Sequence, residues 1–209
     1  MSAAVERPSE LIDLQGAWRR NGRVVGEESW HEVSDVLWLQ MGRHFCDLRT
    51  PHPGTAVTHV LDQTQAFSGT VVVSEGAISF HHDIDSLPRD PGNPDQGTVH
   101  RLDDTMMERG PGFEERWIMA SLPGDETAMA EYRVAGSIRA RIIRVGGVAL
   151  AIWGGSLPGG AQYLLRHEWI RERPTANDDG GWHIDAAALA LGQDTPLPDG
   201  WVVVEAEEV

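Results

Sequence analysis

From residue 14 onward the chain repeats one pattern: a short run rich in Val, Ile, Trp, Phe and Thr, then a break of Gly, Pro, Asn or Asp. Such runs read as strands and the breaks as turns. Strands are expected at 14–22, 35–50, 66–74, 77–85, 96–104, 105–110, 113–121, 130–145, 148–155 and 162–173, with two more at 182–187 and 201–208. The connectors VSEGA, RGPGF and RVGGVA carry glycine where hairpin turns need it. Helix signals are confined to the ends: PSELIDLQG (8–16), a turn with Ser9 as N-cap, and DAAALALG (185–192). No helix is long enough to separate parallel strands, so the sheet must be antiparallel. Strands joined by short turns have to bury one face and manage their edges, and closure does both. The expectation is an all-β, antiparallel up-and-down β-barrel of about 8–10 strands, in one domain spanning 1–209, with short helical turns near each end.

The charge narrows the partners. Thirty-two acids stand against 17 bases, every one an arginine, for a net charge of −15. Phosphate backbones and anionic headgroups repel such a chain, so neither nucleic acid nor membrane is an expected partner. The lone cysteine, Cys46, sits beside Asp47 in RHFCDLR and reads as a packing residue rather than a nucleophile. MSAAVERPSE has no basic segment and no apolar run, so a cytoplasmic location is expected.

Gly16-Ala17-Trp18, after a helical turn and before the series of strands, resembles the opening of the lipocalin, or wider calycin, barrels. The stretches VLWLQMGRHFCDLRTP, FSGTV, FHHDID and FEERW are similar to lipocalin-like proteins of microbes. The resemblance implies that Trp18 plugs the closed end, that Gly16 lets the chain pass close to a neighbour, and that an arginine stacks on Trp18. Arg166 or Arg171 would serve. Secreted calycins carry disulfides and a signal peptide, which this sequence does not show, and they use eight strands.

Alternation sorts side chains onto two faces. Within 36–48, read as one strand, one face carries Val36, Trp38, Gln40, Gly42, His44, Cys46 and Leu48. In 77–85 the inward set is Ile78, Phe80, His82 and Ile84; in 113–119 it is Phe113, Glu115, Trp117 and Met119; in 162–173 it is Tyr163, Leu165, His167, Trp169 and Arg171. Three strands thus place one ionisable group each on an apolar face: His82, Glu115 and His167. An unpartnered buried polar group costs about 1–3 kcal/mol, so these three call for each other, water or a ligand.

They are the candidate catalytic residues. His82 or His167, with an ordinary pKa near neutrality, is the base, and Glu115 the acid or orienting group. Trp38, Gln40, His44, Phe80, Trp117, Tyr163, Trp169 and Arg171 are the candidate substrate-binding residues, with Gln40, His44 and Arg171 placed to polarise a carbonyl or hold a carboxylate. No cofactor is expected, and no metal: His81, His82, Asp83 and Asp85 cluster in sequence, but neither H-E-x-x-H nor an H-x-H with a distant Glu is present. Phosphate-binding glycine motifs are missing, and Ser156 in WGGSLPGG only partly resembles a nucleophile elbow. The expected function is small-molecule binding, with a cofactor-independent lyase, isomerase or cyclase acting by His/Glu acid–base chemistry as one form and a non-catalytic carrier or sensor as the other. The expected partner is a small hydrophobic or mixed-polarity molecule; a homodimer is left open.

Overall fold

The computed structural model describes residues 10–26, 34–52, 65–85, 94–121, 127–134, 137–146, 148–156, 163–170 and 201–203. A 3-10 turn, Leu11–Leu14, leads into eight strands: β1 (Gly16–Val25), β2 (Ser34–Met41), β3 (His44–Pro51), β4 (Gln65–Ser74), β5 (Ala77–Asp85), β6 (Asp95–Leu102), β7 (Thr105–Gly110) and β8 (Phe113–Ser121). They close in chain order, with β8 pairing back onto β1, into the antiparallel barrel that the turn spacing requires. Five more strands, β9 (Ala128–Val134), β10 (Ser137–Val145), β11 (Val148–Ser156), β12 (Tyr163–Ile170) and β13 (Trp201–Val203), form a second antiparallel sheet in the order β12-β11-β10-β9-β13. The wall is therefore eight-stranded, and the later strands lie outside it. The segments 182–187 and 185–192 lie outside the described residues.

The expected strand 35–50 is a hairpin. Gly42, with φ 54°, and Arg43 make a two-residue turn flanked by the pair Met41–His44. A positive φ at the first turn position is the arrangement that lets two twisted strands reverse tightly, and it favours glycine. Gln15 locks this turn: its Oε1 accepts from the Gly42 amide at 2.7 Å, and its Nε2 donates to the Gly42 carbonyl at 2.9 Å. Continuous alternation across the turn inverts every face after it. Phe45, Asp47 and Arg49 share the inner face with Trp38, whereas Cys46 and Leu48 point outward. The stretch 130–145 is likewise two strands, β9 and β10.

Two apolar layers result. Inside the barrel, Leu14, Trp18, Val36, Trp38, Phe45, Phe67, Val71, Ile78, Val99, Met106 and Trp117 form one buried cluster. Outside it, Leu37, Leu39, Met41, Cys46, Leu48, Ala66 and Ile84 pack against Met129, Ile143, Val145, Val148, Leu150 and Ile152 of the second sheet. β2 is thus buried on both faces, which explains its almost uninterrupted apolar run. Each such leucine withdrawn from water contributes about 1.5–3 kcal/mol.

The floor follows from Trp18. Its indole N–H donates to the Leu14 carbonyl at 2.7 Å, tying the 3-10 turn across the barrel end. The cap of that turn falls at Glu10, whose amide donates to Asp13 Oδ2 at 2.8 Å. Gly16 is buried with φ 135°, a backbone open to glycine and closed to most other residues. The arginine over Trp18 is Arg101, its guanidinium 5.2 Å from the ring centroid and its Nη1 donating to the Asp13 carbonyl at 2.6 Å. Arg166 lies on β12 in the other sheet, and Arg171 is outside the described residues. The stacking partner comes from β6, whose Arg101 bridges the Trp18 ring and the 3-10 turn.

Candidate functional site

Above the Trp18 floor the barrel holds a chain of rings in edge-to-face contact. Trp38 meets Trp117 at 5.5 Å and Phe80 at 5.6 Å; Phe45 meets Phe80 at 5.3 Å and His82 at 5.6 Å; Phe67 meets His82 at 5.3 Å. Gln40 is buried in the same interior, where its Oε1 accepts from Trp38 Nε1 at 3.1 Å and its Nε2 donates to the Gly42 carbonyl at 2.8 Å. It positions Trp38.

Beyond the rings lies a cluster of charges. The Glu115 carboxylate takes Arg20 Nη1 at 2.7 Å and Arg49 Nη1 at 3.4 Å, both on Oε1. Arg49 grips Asp47 with two parallel bonds of 3.1 Å and lies over the Phe67 ring at 5.4 Å. Although burial disfavours its charge, Asp47 and Glu115 hold the Arg49 pKa above the usual arginine value. Arg23 enters the same interior as the cross-strand partner of Glu115. Glu115 Oε2 is buried and makes no hydrogen bond, while the Trp117 indole is engaged by the Glu108 side chain.

Glu108 of β7 faces Glu115 of β8 directly across the ladder. Burial first, and then the charge of Glu115, push its pKa up to about 8. At neutral pH this carboxyl therefore retains a proton. Glu108 is the residue that alternation along TMMERG would have revealed, since Met106 and Glu108 share the inner face. It repeats the signature that singles out Glu115.

His82 reaches the interior as expected, and a β-bulge supplies its companion. The register of β4 and β5 shifts between Ser68 and Gly69, so that Gly69 opposes His82 while Ser68 opposes Ile84. Gly69 permits this crowding: a Cβ there would lie 1.9 Å from the His81 carbonyl oxygen. The bulge sends Asp83 outward and returns Asp85 to the inside, where Asp85 Oδ2 stands 2.9 Å from His82 Nδ1. Ile84, expected inside with His82, therefore packs against the second sheet.

Trp38, Gln40, Phe80, His82, Glu115 and Trp117 thus share one interior. His44 does not. It lies on the outer face of β3, near Arg141, Glu131 and Asp83, and burial followed by Arg141 lowers its pKa. Tyr163, His167 and Trp169 lie on β12, in the second sheet; their side chains, and Arg171 altogether, are outside the described residues. His81 is exposed, and Asp83 is engaged by Arg141. Among the described residues no three His, Cys, Asp or Glu side chains are grouped to share a metal ion, and no helix is long and apolar enough to cross a membrane. Cys46 is buried in the outer layer, and its thiol pKa is pushed up to about 12 by that burial.

No family model matches the sequence, and no curated protein matches it. Among solved structures, the chain is similar to an uncharacterised protein of Saccharomyces cerevisiae, YLR301w, with a TM-score of 0.58, 14% identity, and coverage of 93% of this chain and 100% of that one. A second similarity, to an uncharacterised protein of Bacteroides eggerthii, has a TM-score of 0.36 and 12% identity over 51% of this chain and 98% of that one. The yeast likeness shows that the fold recurs: a closed eight-stranded antiparallel barrel.

Proposed function

We propose that the barrel interior binds a small, largely apolar molecule and moves a proton on it, as a lyase, isomerase or cyclase working without a cofactor. The carrying observation is the carboxyl pair Glu108–Glu115, set across β7 and β8 at the end of an aromatic-lined interior. One member keeps its proton near neutrality while the other is paired with Arg20 and Arg49. Two carboxyls set in different environments are the usual means of separating an acid from a base. His82 of β5, with Asp85 beside it, offers a base, and Glu108 of β7, two strands along the wall, offers the acid. Trp38, Phe80 and Trp117 supply the apolar walls, and Gln40 holds Trp38 in place. The calycin likeness of the opening strands fits a ligand-holding barrel.

One observation favours the alternative of a non-catalytic carrier or sensor. Glu115 Oε1 already takes two guanidinium groups, the arrangement of a fixed anchor rather than a travelling proton. The two readings separate by experiment. A thermal-shift screen against hydrophobic acids, polyketide-like compounds and neutral heterocycles, read alongside quenching of the eight tryptophans, identifies ligands. Each hit is then assayed for conversion with the parent, His82→Ala and Glu108→Gln. Binding with at least tenfold slower conversion in both variants supports catalysis. Binding without conversion in the parent supports the carrier, and a screen in which nothing binds overturns both.

A further inference from the structure

We propose that His82 and Asp95 form a proton-dependent latch between β5 and β6, closed while the imidazole carries its extra proton and released as that proton leaves. His82 Nε2 stands 3.7 Å from Oδ2 of Asp95, the first residue of β6, and His82 Nδ1 stands 2.9 Å from Asp85 Oδ2. Carboxylate oxygens thus flank both ring nitrogens. An imidazolium is attracted to both. A neutral imidazole has a single N–H, so one of the two carboxylates then faces a ring lone pair. Charge decides the outcome, because neither contact is a formed hydrogen bond: Nδ1 makes none despite the short approach, and 3.7 Å is too long for one. What holds is an ion pair, and it goes with the proton.

The latch sits where backbone pairing between the two strands stops. β5 and β6 pair from Ala77–Thr98 to Phe80–Asp95, and among the described residues β5 has no β6 partner beyond Phe80. Past that point the His82–Asp95 contact ties the strands together. On its other side β5 is held, since His82 pairs with Gly69 of β4, whose carbonyl accepts from Arg141 Nη1 at 3.0 Å. The imidazole packs edge-on against Phe45 and Phe67, so it stands between those interior rings and the half-exposed Asp95 carboxylate. Other charged groups nearby have their own partners. Asp83 is engaged by Arg141, and Arg49, over the Phe67 ring, is paired with Asp47 and Glu115. His81 is exposed. Glu108, coupled to Arg49, also releases its proton on the alkaline side, at about pH 8, and is silenced in the test below.

Relaxation-dispersion NMR of the intact chain, read at the backbone amides of Phe80, His82 and Gly97, measures how much of the protein has this joint open. With Glu108→Gln in place, the open population is expected to rise about three- to fivefold between about pH 5.5 and about pH 7.5, the range in which imidazoles titrate and the size a partly exposed ion pair allows. Adding Asp95→Asn is expected to give the raised population at both pH values. The unaltered protein at the lower pH is expected to show it too in about 1 M salt, which screens the pair. That salt comparison needs no variant and stands even if a substituted chain fails to fold. A population that ignores both pH and salt, a pH response that survives Asp95→Asn, or no detectable opening under any of these conditions overturns the latch. Each of these results leaves the small-molecule reading of the interior to its own screen.

Discussion

Arg141 and Asp83 meet at 2.7 Å across the junction between the second sheet and the barrel. The same guanidinium donates to Glu131 Oε1 at 2.6 and 2.9 Å, to Ser68 Oγ at 2.8 Å and to the Gly69 carbonyl at 3.0 Å. One fully buried cation thus holds β10 against the bulge that shapes the inner end of β5.

Arg141→Ala should lower stability by about 3–5 kcal/mol, because it leaves the Glu131 carboxylate buried without its counter-ion. Asp83→Ala, at a carboxylate that is one-third exposed, should cost less than about 1 kcal/mol. Combining Arg141→Met with Glu131→Leu should recover most of the first loss, since apolar replacement of a buried ion pair is often neutral. Denaturant midpoints of the four proteins check the ranking.

Glu108 makes stability depend on pH in a stated direction. Its folded pKa, about 8, lies above the 4.5 of the unfolded chain. Between those values the unfolded chain has released the proton that the folded protein keeps, so stability falls as pH rises through the window and levels off above it. The expected slope attributable to this group is about 1 kcal/mol per pH unit. Glu108→Gln removes that slope and is therefore more stable than the parent at pH 8–9, by an amount that thermal unfolding across pH 5–9 measures. A parent curve no steeper than that of the variant contradicts the assignment.

Cys46 should not react with a thiol reagent in the folded protein at pH 8. Burial both shields it and holds its pKa near 12, so the thiolate is scarce. Modification should appear only as denaturant unfolds the chain, and its rate against denaturant concentration checks this.

Removing the lid over Trp18 should be felt locally. Arg101→Ala gives up the stacking contact and the bond to the Asp13 carbonyl, for an expected loss of about 1–2 kcal/mol. Arg101→Lys keeps the charge but not the planar fork, and should recover less than half of that. Thermal unfolding compares the two.

The strand pattern was legible because turns and apolar runs are local signals, and β5, β7 and β8 fall where alternation places them. Two local devices misdirected the reading of faces. The Gly42-Arg43 turn reverses the chain in two residues inside an unbroken apolar run, which hid Asp47 and Arg49 from the interior and placed His44 there wrongly. The bulge opposite Gly69 shifts the period by one, which concealed Asp85 behind His82. Glu108 carried the same alternation as Glu115 but in a six-residue strand. Which strands close the barrel and which form the covering sheet depends on long-range pairing of β1 with β8, and no local signal encodes that choice.

The ladder between β5 and β6 runs only from Ala77 to Phe80, so among the described residues the stretch of β5 that bears His82 and Asp85 is hydrogen-bonded on the β4 side alone. β2 to β5 are also pinned from outside by the second sheet, whereas among the described residues β6, β7 and β8 contribute no side chain to that outer apolar layer. Opening of the wall is expected first at the β5–β6 seam, where one ladder is missing among the described residues. Backbone amides flanking that seam should exchange with deuterium well before those of β2 and β3, and a guest travelling between solvent and the rings would pass the imidazole of His82 first.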